Sequence, residues 1–248
     1  MRLLEFPHSH FCEKARWALD YKGLTFQPVA ILPGFHLKTV RKYAPKTSVP
    51  VLLHPPEVVQ GSAAIIDYLD KNYPEHRLTP DDAEERRTSL AIEQDMDARL
   101  GENIRQILYY WLLDHPGFLC HCFAHPLPFY KQLVFRLTYP YLRKVIHQVY
   151  VVSPGKVEQA RHEFDAALAE LEEILKESPY LVGEQFSRAD VTVASLLSQL
   201  VMPPEHPLPW REIPDERAKL FIDDYREHPV SSWVRKMYKK YRKPAGNM

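Results

Sequence analysis

Ser9 stands three residues before Cys12, between a short apolar run, Leu3-Leu4-Glu5-Phe6, and a longer amphipathic one over residues 11–22. The first reads as a strand, Pro7-His8 as a turn and the second as a helix. The Ser9 hydroxyl is therefore expected at a helix N-terminus, where free amides and the helix dipole favour an anion. Two further pieces carry related chemistry. Val49-Pro50 opens a strand, and a cis bond there would present the backbone groups of Val49 to an extended, peptide-like ligand. Gly61-Ser62 opens another helix, where a hydroxyl and unpaired amides can hold a carboxylate.

Cys12 offers a different chemistry, because Ser-x-x-Cys is a Cys-x-x-Cys pattern with its first thiol replaced. In that pattern the first position is the exposed nucleophile. Cys12 shares the inner face of its helix with Ala15 and Leu19, so an inert buried thiol is expected. His115, Cys120, His121, Cys122 and His125 form a Cys/His cluster. Its spacing does not match a zinc knuckle, and Phe118, Phe123 and Pro126 suit a packed loop, so no metal is expected. Residues 235–243 hold six basic side chains in nine and read as a solvated helix end that complements its own dipole.

The elements that must position these residues begin as alternating strands and helices. Residues 25–30 read as a second strand, with Pro28 pointing to an edge position. Residues 36–43 suggest a short helix ending before Pro45. Residues 51–54 and 57–60 form a hairpin around Pro55-Pro56, and Ser62 opens a helix with Ile65, Ile66 and Leu69 on one face.

After Asn72-Tyr73-Pro74 the pattern is helical. Residues 83–113 carry Leu100, Ile104, Ile107 and Trp111 as one buried stripe. Residues 129–149 form a helix bent at Pro140. Ser153-Pro154 opens a helix through residue 176, with Val157, Phe164, Leu168, Leu171 and Leu175 facing inward. Ser187-Arg188-Ala189-Asp190 reads as a capping box, stapled by Phe186 and Val191. A proline-dense loop and two helices, near 215–227 and 230–241, follow. The expected division is residues 1–75, a linker over 76–82 and an all-helical unit over 83–248.

The 248 residues balance 32 basic against 32 acidic side chains, with 26% charged and 45% hydrophobic residues. No global field draws such a chain to nucleic acid or to a membrane. No window has the length of apolar residues a membrane span needs, and no signal peptide is expected. Three cysteines give no disulfide framework, so a reducing, cytoplasmic setting is expected.

Taken together, the chain resembles the cytosolic-type glutathione transferases, of a serine-type, bacterial-like kind. The resemblance is carried by Ser9-x-x-Cys12, by Ala44-Pro45 with Ser48-Val49-Pro50-Val51-Leu52, by Gly61-Ser62-Ala63-Ala64-Ile65, and by Phe186-Ser187-Arg188-Ala189-Asp190. It covers essentially the whole chain. It implies a thioredoxin-like α/β N-terminal domain followed by an all-α helical-bundle C-terminal domain, with glutathione as co-substrate. By the same resemblance Ser9 is the catalytic hydroxyl that hydrogen-bonds the glutathione sulfur. Val49 pairs with the tripeptide backbone, with Pro50 in cis. Ser62 and the amides around Gly61 take the γ-glutamyl carboxylate, and Asp190 caps a core helix.

The chain departs from the family pattern at two places. Gly61 stands where relatives usually carry an acidic residue or glutamine, with Gln60 one place earlier, and Ser48 stands where lysine is common. The glycyl carboxylate then falls to His36, Lys38 or Lys46. The implied function is conjugation of reduced glutathione to small hydrophobic electrophiles by a homodimer. The end of the first long C-terminal helix lines the electrophile pocket in the family, so one or two of Tyr109, Tyr110, Trp111, Phe118, Phe129 and Tyr130 are expected to face substrate. The alternatives are a glutathione-dependent peroxidase or thiol oxidoreductase working through Cys12, and a ligand-binding protein without catalysis.

Overall fold

The computed structural model describes residues 1–150 and 153–242. Strand β1 (Arg2–Glu5) leads into helix α1 (His10–Tyr21), followed by β2 (Gln27–Ala30), α2 (His36–Val40), β3 (Val51–His54), β4 (Glu57–Gln60) and α3 (Ser62–Asn72). The strands make one mixed sheet in the order β2-β1-β3-β4. β1 and β2 run parallel, while β1–β3 and β3–β4 are antiparallel. Pro28 sits on the edge strand opposite Leu3, where its missing N–H breaks no ladder.

The period of two sends successive side chains to opposite faces. Leu3 and Leu52 join the main core with Ala15, Leu19, Ile65 and Leu69. Leu4, Val51 and Leu53 turn to a smaller cluster with Ile31, Val40 and Ala44. Two boundaries are shorter than the sequence suggests. β2 starts at Gln27. α2 ends at Val40, because the N–H groups of Tyr43 and Ala44 both turn back to the Val40 carbonyl ahead of Pro45.

The expected long helix is present as α4 (Ala83–Met96) and α5 (Asn103–Leu112), joined by a π-helical segment, Asp97–Glu102. Leu100, Ile104 and Ile107 form its buried stripe, and half-buried Trp111 packs beside Phe221 at 5.4 Å between ring centroids. Gly101 lies in the π segment, where a Cβ would stand 2.7 Å from Phe11 and 2.8 Å from Leu196. Only glycine lets α1 and α9 approach this closely.

Residues 116–124, expected as a packed loop, are instead helix α6 (Pro116–Ala124). Proline in its first turn has a φ pre-set for a helix, and Leu119, Cys120 and Ala124 supply the buried face. Then come α7 (Phe129–Val149), with Pro140 inside it, and α8 (Pro154–Glu177). In α8, Val157, Phe164, Leu168 and Leu171 are buried, while Leu175 is half-exposed at the edge of the stripe. The last elements are α9 (Arg188–Leu196), α10 (Ser198–Val201), α11 (Glu216–Arg226) and α12 (Pro229–Tyr241). Helix α9 is buried throughout its length. The Asp190 carboxylate accepts from the N–H groups of Leu181 (2.9 Å) and Ser187 (2.8 Å) and from the Ser187 hydroxyl (2.9 Å).

Helix α1 is buried on its polar side as well, so its charges must be paired. Lys14 Nζ lies 2.8 Å from Glu93 and 2.9 Å from Asp97. Arg16 donates to Glu5 at 2.8 Å, to Glu13 at 2.9 Å and to the Pro7 carbonyl at 2.8 Å. Arg242 donates to Glu13 at 2.8 Å and to Asp20. The basic C-terminal run is therefore not simply a solvated helix end, since Arg242 is 4% exposed and completes this network. Lys243, also in that run, lies outside the described residues.

Candidate functional site

Ser9 is the N-cap of α1, in extended backbone geometry. Its Oγ accepts the Cys12 N–H at 3.4 Å, a long bond, and its own N–H is held by the Phe6 carbonyl at 3.1 Å. The oxygen accepts in this cap, and a hydroxyl that accepts can still donate its own proton. The turn is held from beneath by Arg16 on the Pro7 carbonyl and from the side by Gln199 Nε2, which donates to the His8 carbonyl at 3.0 Å. Burial alone would raise the Glu13 carboxyl, but Arg242, His206 and Arg16 outweigh it and hold it down to about 2. Glu5 moves the other way, pushed by burial up to about 7 against the pull of Arg16.

Ser9 opens onto a cavity of about 440 Å³ that Val49 and His36 also line. Phe6 spans its floor, packing edge-on against His36 (4.9 Å) and Phe123 (5.7 Å). α5, α6 and α7 supply the apolar wall, including Leu108, Tyr109, Leu112, Phe118 and Ile146. Of the aromatic residues weighed from the sequence, Tyr109 and Phe118 face the cavity, whereas Phe129 and Tyr130 are 77% and 63% exposed on α7. The other wall comes from the proline-dense loop, where Trp210 lines the cavity and packs with His206 behind it and with His8 of the β1–α1 turn, centroids 4.4–5.9 Å apart. Burial pushes His8 down to about 2, His10 to about 3 and His206 to about 4, so these rings are neutral at neutral pH.

The Val49–Pro50 bond is cis. Among the described residues neither the N–H nor the C=O of Val49 has a hydrogen-bond partner. The side chain of Gln60 braces the preceding loop, donating to the carbonyls of Lys46 (2.9 Å) and Ser48 (2.8 Å) and accepting the Lys46 N–H at 3.2 Å. Gly61 caps α3 at φ +98°, a backbone state that favours glycine, and its N–H holds the Pro50 carbonyl at 2.9 Å. Ser62 follows at the first position of α3. Pro50, Gly61 and Ser62 do not line the cavity itself; they adjoin it through the Pro50–Gly61 bond. Lys38 and Lys46 are exposed and also outside the lining, while His36 lies within it. His36 Nδ1 accepts the Gly34 N–H at 3.0 Å, which assigns the proton of the neutral ring to Nε2.

Cys12 is fully buried, and burial pushes its thiol up to about 12. Cys122 lines the cavity but is raised to about 12 in the same way. Neither is a ready thiolate, which disfavours a redox role for Cys12. Among the described residues no group of three or more His, Cys, Asp or Glu side chains is placed to hold a metal ion. Sequence reasoning missed the bracing role of Gln60, the charge network under the turn and the two arginines of the lining, Arg105 and Arg211. A glutamine directly before Gly-Ser was the one local signal available.

The chain matches the family model for the glutathione S-transferase N-terminal domain over residues 3–77 and that for the C-terminal domain over residues 154–221. It is 39% identical over 89 residues to glutathione S-transferase 1 of Dianthus caryophyllus, covering 35% of this chain and 40% of that one. A maleylpyruvate isomerase of a Ralstonia species is 33% identical over 114 residues, covering 44% of this chain and 54% of that one. The chain thus spans about two fifths to one half of the length of these relatives. A glutathione S-transferase of Methylobacterium radiotolerans in complex with glutathione sulfonate shares the fold, with a TM-score of 0.63 at 18% identity over 100% of this chain and 96% of that one. One from Methylobacillus flagellatus with glutathione bound superposes with a TM-score of 0.64 at 17% identity, over 98% of each chain. The first family model takes in Ser9, Val49 and Ser62 and the second takes in the Asp190 box, in the order the sheet and the helices occur here. The chain belongs to the glutathione S-transferase family.

Proposed function

We propose that this protein binds reduced glutathione beside Ser9 and transfers its sulfur to a small electrophile held against the apolar wall. The observation that carries this reading is the Ser9 hydroxyl, which lines the cavity at the N-terminus of α1 and has a proton to donate. That proton donates to the glutathione sulfur and stabilises the thiolate. The unpaired N–H and C=O of Val49 pair with the main chain of the tripeptide. The first amides of α3, with the Ser62 hydroxyl, take the γ-glutamyl carboxylate, and Nε2–H of His36 takes the glycyl carboxylate.

A free thiol with a pKa of about 8.5 is only a few per cent ionised at neutral pH. A hydrogen bond to a charged group contributes about 1.5–3 kcal/mol, and a helix N-terminus about 0.3–1 kcal/mol. Together they bring most of the bound thiol into its reactive form with no separate base. The sulfur then bonds to the electrophilic carbon while the leaving group departs with its electron pair, and proximity supplies much of the rate. In this reading residues 1–75 hold glutathione and residues 83–248 the electrophile. The protein works as a cytoplasmic homodimer, in keeping with its three free cysteines and the exposed Leu137 and Tyr141 on α7.

Titration calorimetry with glutathione tests the reading first. Binding, followed by conjugation of an aryl halide that weakens in Ser9→Ala, supports it. Absence of binding at millimolar glutathione favours a ligand-binding protein instead.

A further inference from the structure

We propose that the apolar half of the cavity is built for an electrophile that carries a carboxylate, received by Arg105. This inference rests on the transferase reading above and names its substrate class. The described residues that line the cavity include two arginines, Arg105 and Arg211, and no aspartate or glutamate. Among the described residues neither arginine has a carboxylate within salt-bridge distance. The contrast within this chain is sharp, because the buried Arg16, Arg188 and Arg242 each engage two carboxylates.

Arg105 is held without being neutralised. Its guanidinium lies 4.5 Å from the centroid of the Tyr150 ring and 5.9 Å from that of Phe11. Its Nε is buried and has no hydrogen-bond partner among the described residues. A buried donor left unmade is costly, and a planar guanidinium fixed by aromatic faces keeps its edge for a two-point bond to a carboxylate. The surrounding wall is aliphatic and aromatic, which strengthens such a pair relative to water. His8, His10, His36 and His121 also line the cavity, and burial lowers the pKa of all four, so its positive charge rests on the two arginines.

Position separates Arg105 from the glutathione groups. It projects from α5 into the helical half with Tyr109 and Tyr150, whereas Val49, His36 and the start of α3 belong to the sheet half. Phe11, which it overlies, is two residues after Ser9, so an electrophile anchored there lies beside the sulfur. The ligand class is an apolar, flat body with an ionised carboxylate at one end.

The test uses a chloronitrobenzoate and its methyl ester. In both, sulfur bonds to the ring carbon bearing chlorine, chloride leaves with the bonding pair, and the thiol proton passes to water. We compare wild type, Arg105→Met and Arg105→Lys by kcat/KM for each compound and by KM for glutathione. Arg105→Met is expected to lose at least about tenfold more activity on the acid than on the ester, with Arg105→Lys recovering part of the difference. Taking the ratio cancels the intrinsic reactivity of the two compounds. Equal losses on acid and ester, or a rise in glutathione KM as the only change, overturn the proposal.

A second measurement needs neither a variant nor turnover. Quenching of tryptophan fluorescence by nitrobenzoate and by its methyl ester is titrated on the wild-type protein, where Trp210 lines the cavity. Tighter binding of the acid, with an advantage that shrinks in salt, supports the proposal; equal binding refutes it. Selective acid binding by a protein that neither binds glutathione nor conjugates any electrophile would sink the transferase reading and leave the Arg105 site standing.

Discussion

Replacing Ser9 by alanine removes one hydroxyl while leaving the α1 amides and dipole in place. If the hydroxyl donates to the glutathione sulfur, its share is about 1.5–3 kcal/mol, or about one to two units of thiol pKa. The dipole accounts for a further fraction of a unit that survives the substitution. The bound thiol should therefore titrate near about 6–7 in the wild type and near about 8 in Ser9→Ala. The thiolate fraction at neutral pH then falls about five- to tenfold. Because a more basic thiolate is also more nucleophilic, the rate loss is the smaller of the two effects. The deciding assay is the ultraviolet difference absorbance of the bound thiolate across pH, at saturating glutathione. The cap is a separate quantity: at 3.4 Å the bond to Cys12 N–H is long, so its loss should cost stability only at the low end of about 0.5–2 kcal/mol. An unshifted titration midpoint in a variant that still binds glutathione, with or without a lower melting temperature, would refute the donor role and leave Ser9 a cap.

Three other substitutions probe the frame around the site. Gly101→Ala places a Cβ 2.7 Å from Phe11 and 2.8 Å from Leu196, which should cost about 1–3 kcal/mol by overpacking and raise KM for the electrophile; unchanged thermal unfolding would contradict the close approach. Arg242→Met strips Glu13 and Asp20 of a buried partner and should cost about 3–5 kcal/mol in urea denaturation, with a loss under about 1 kcal/mol counting against the network. His206 titrates near 4 in the fold against an ordinary 6.5, so between these values the unfolded chain binds a proton that the native one refuses. Its stabilising share is full above 6.5 and is lost as pH falls toward 4, by about 2 kcal/mol between pH 7 and pH 5. His206→Gln should flatten that acid dependence, and an identical slope in both proteins would exclude the histidine as its source.

The parts of the fold written in local geometry were legible. The hairpin Val51–His54 and Glu57–Gln60 matches to the residue, because alternation and a Pro-Pro turn both act over a few positions. The Ser187–Asp190 box is legible for the same reason, its donors and acceptors lying three residues apart. The helix start at Ser9, the cis Val49–Pro50 bond and the helix start at Gly61-Ser62 were likewise visible as local features. What stayed hidden was set by distant partners. Glu13, Lys14 and Arg16 look like a solvated helix face until Glu93, Asp97 and Arg242 are brought against them. Residues 116–124 lack a clean helical period, so packing against α7 decides their form. No local pattern distinguishes Arg105 from a surface arginine; only its place in an assembled cavity, with no carboxylate near it among the described residues, does.

The turn bearing Ser9 is short in sequence, yet its supports come from far along the chain. Gln199 is 191 residues from the His8 carbonyl it holds, and Arg242 is 229 residues from Glu13. Such contacts form late, since the loops they close carry the largest entropic cost and non-local pairing slows folding. A nascent chain can therefore complete the four-stranded sheet long before it can offer a finished pocket. The first-made strand and helix wait on the last helix, so newly synthesised protein acquires its structure earlier than its competence.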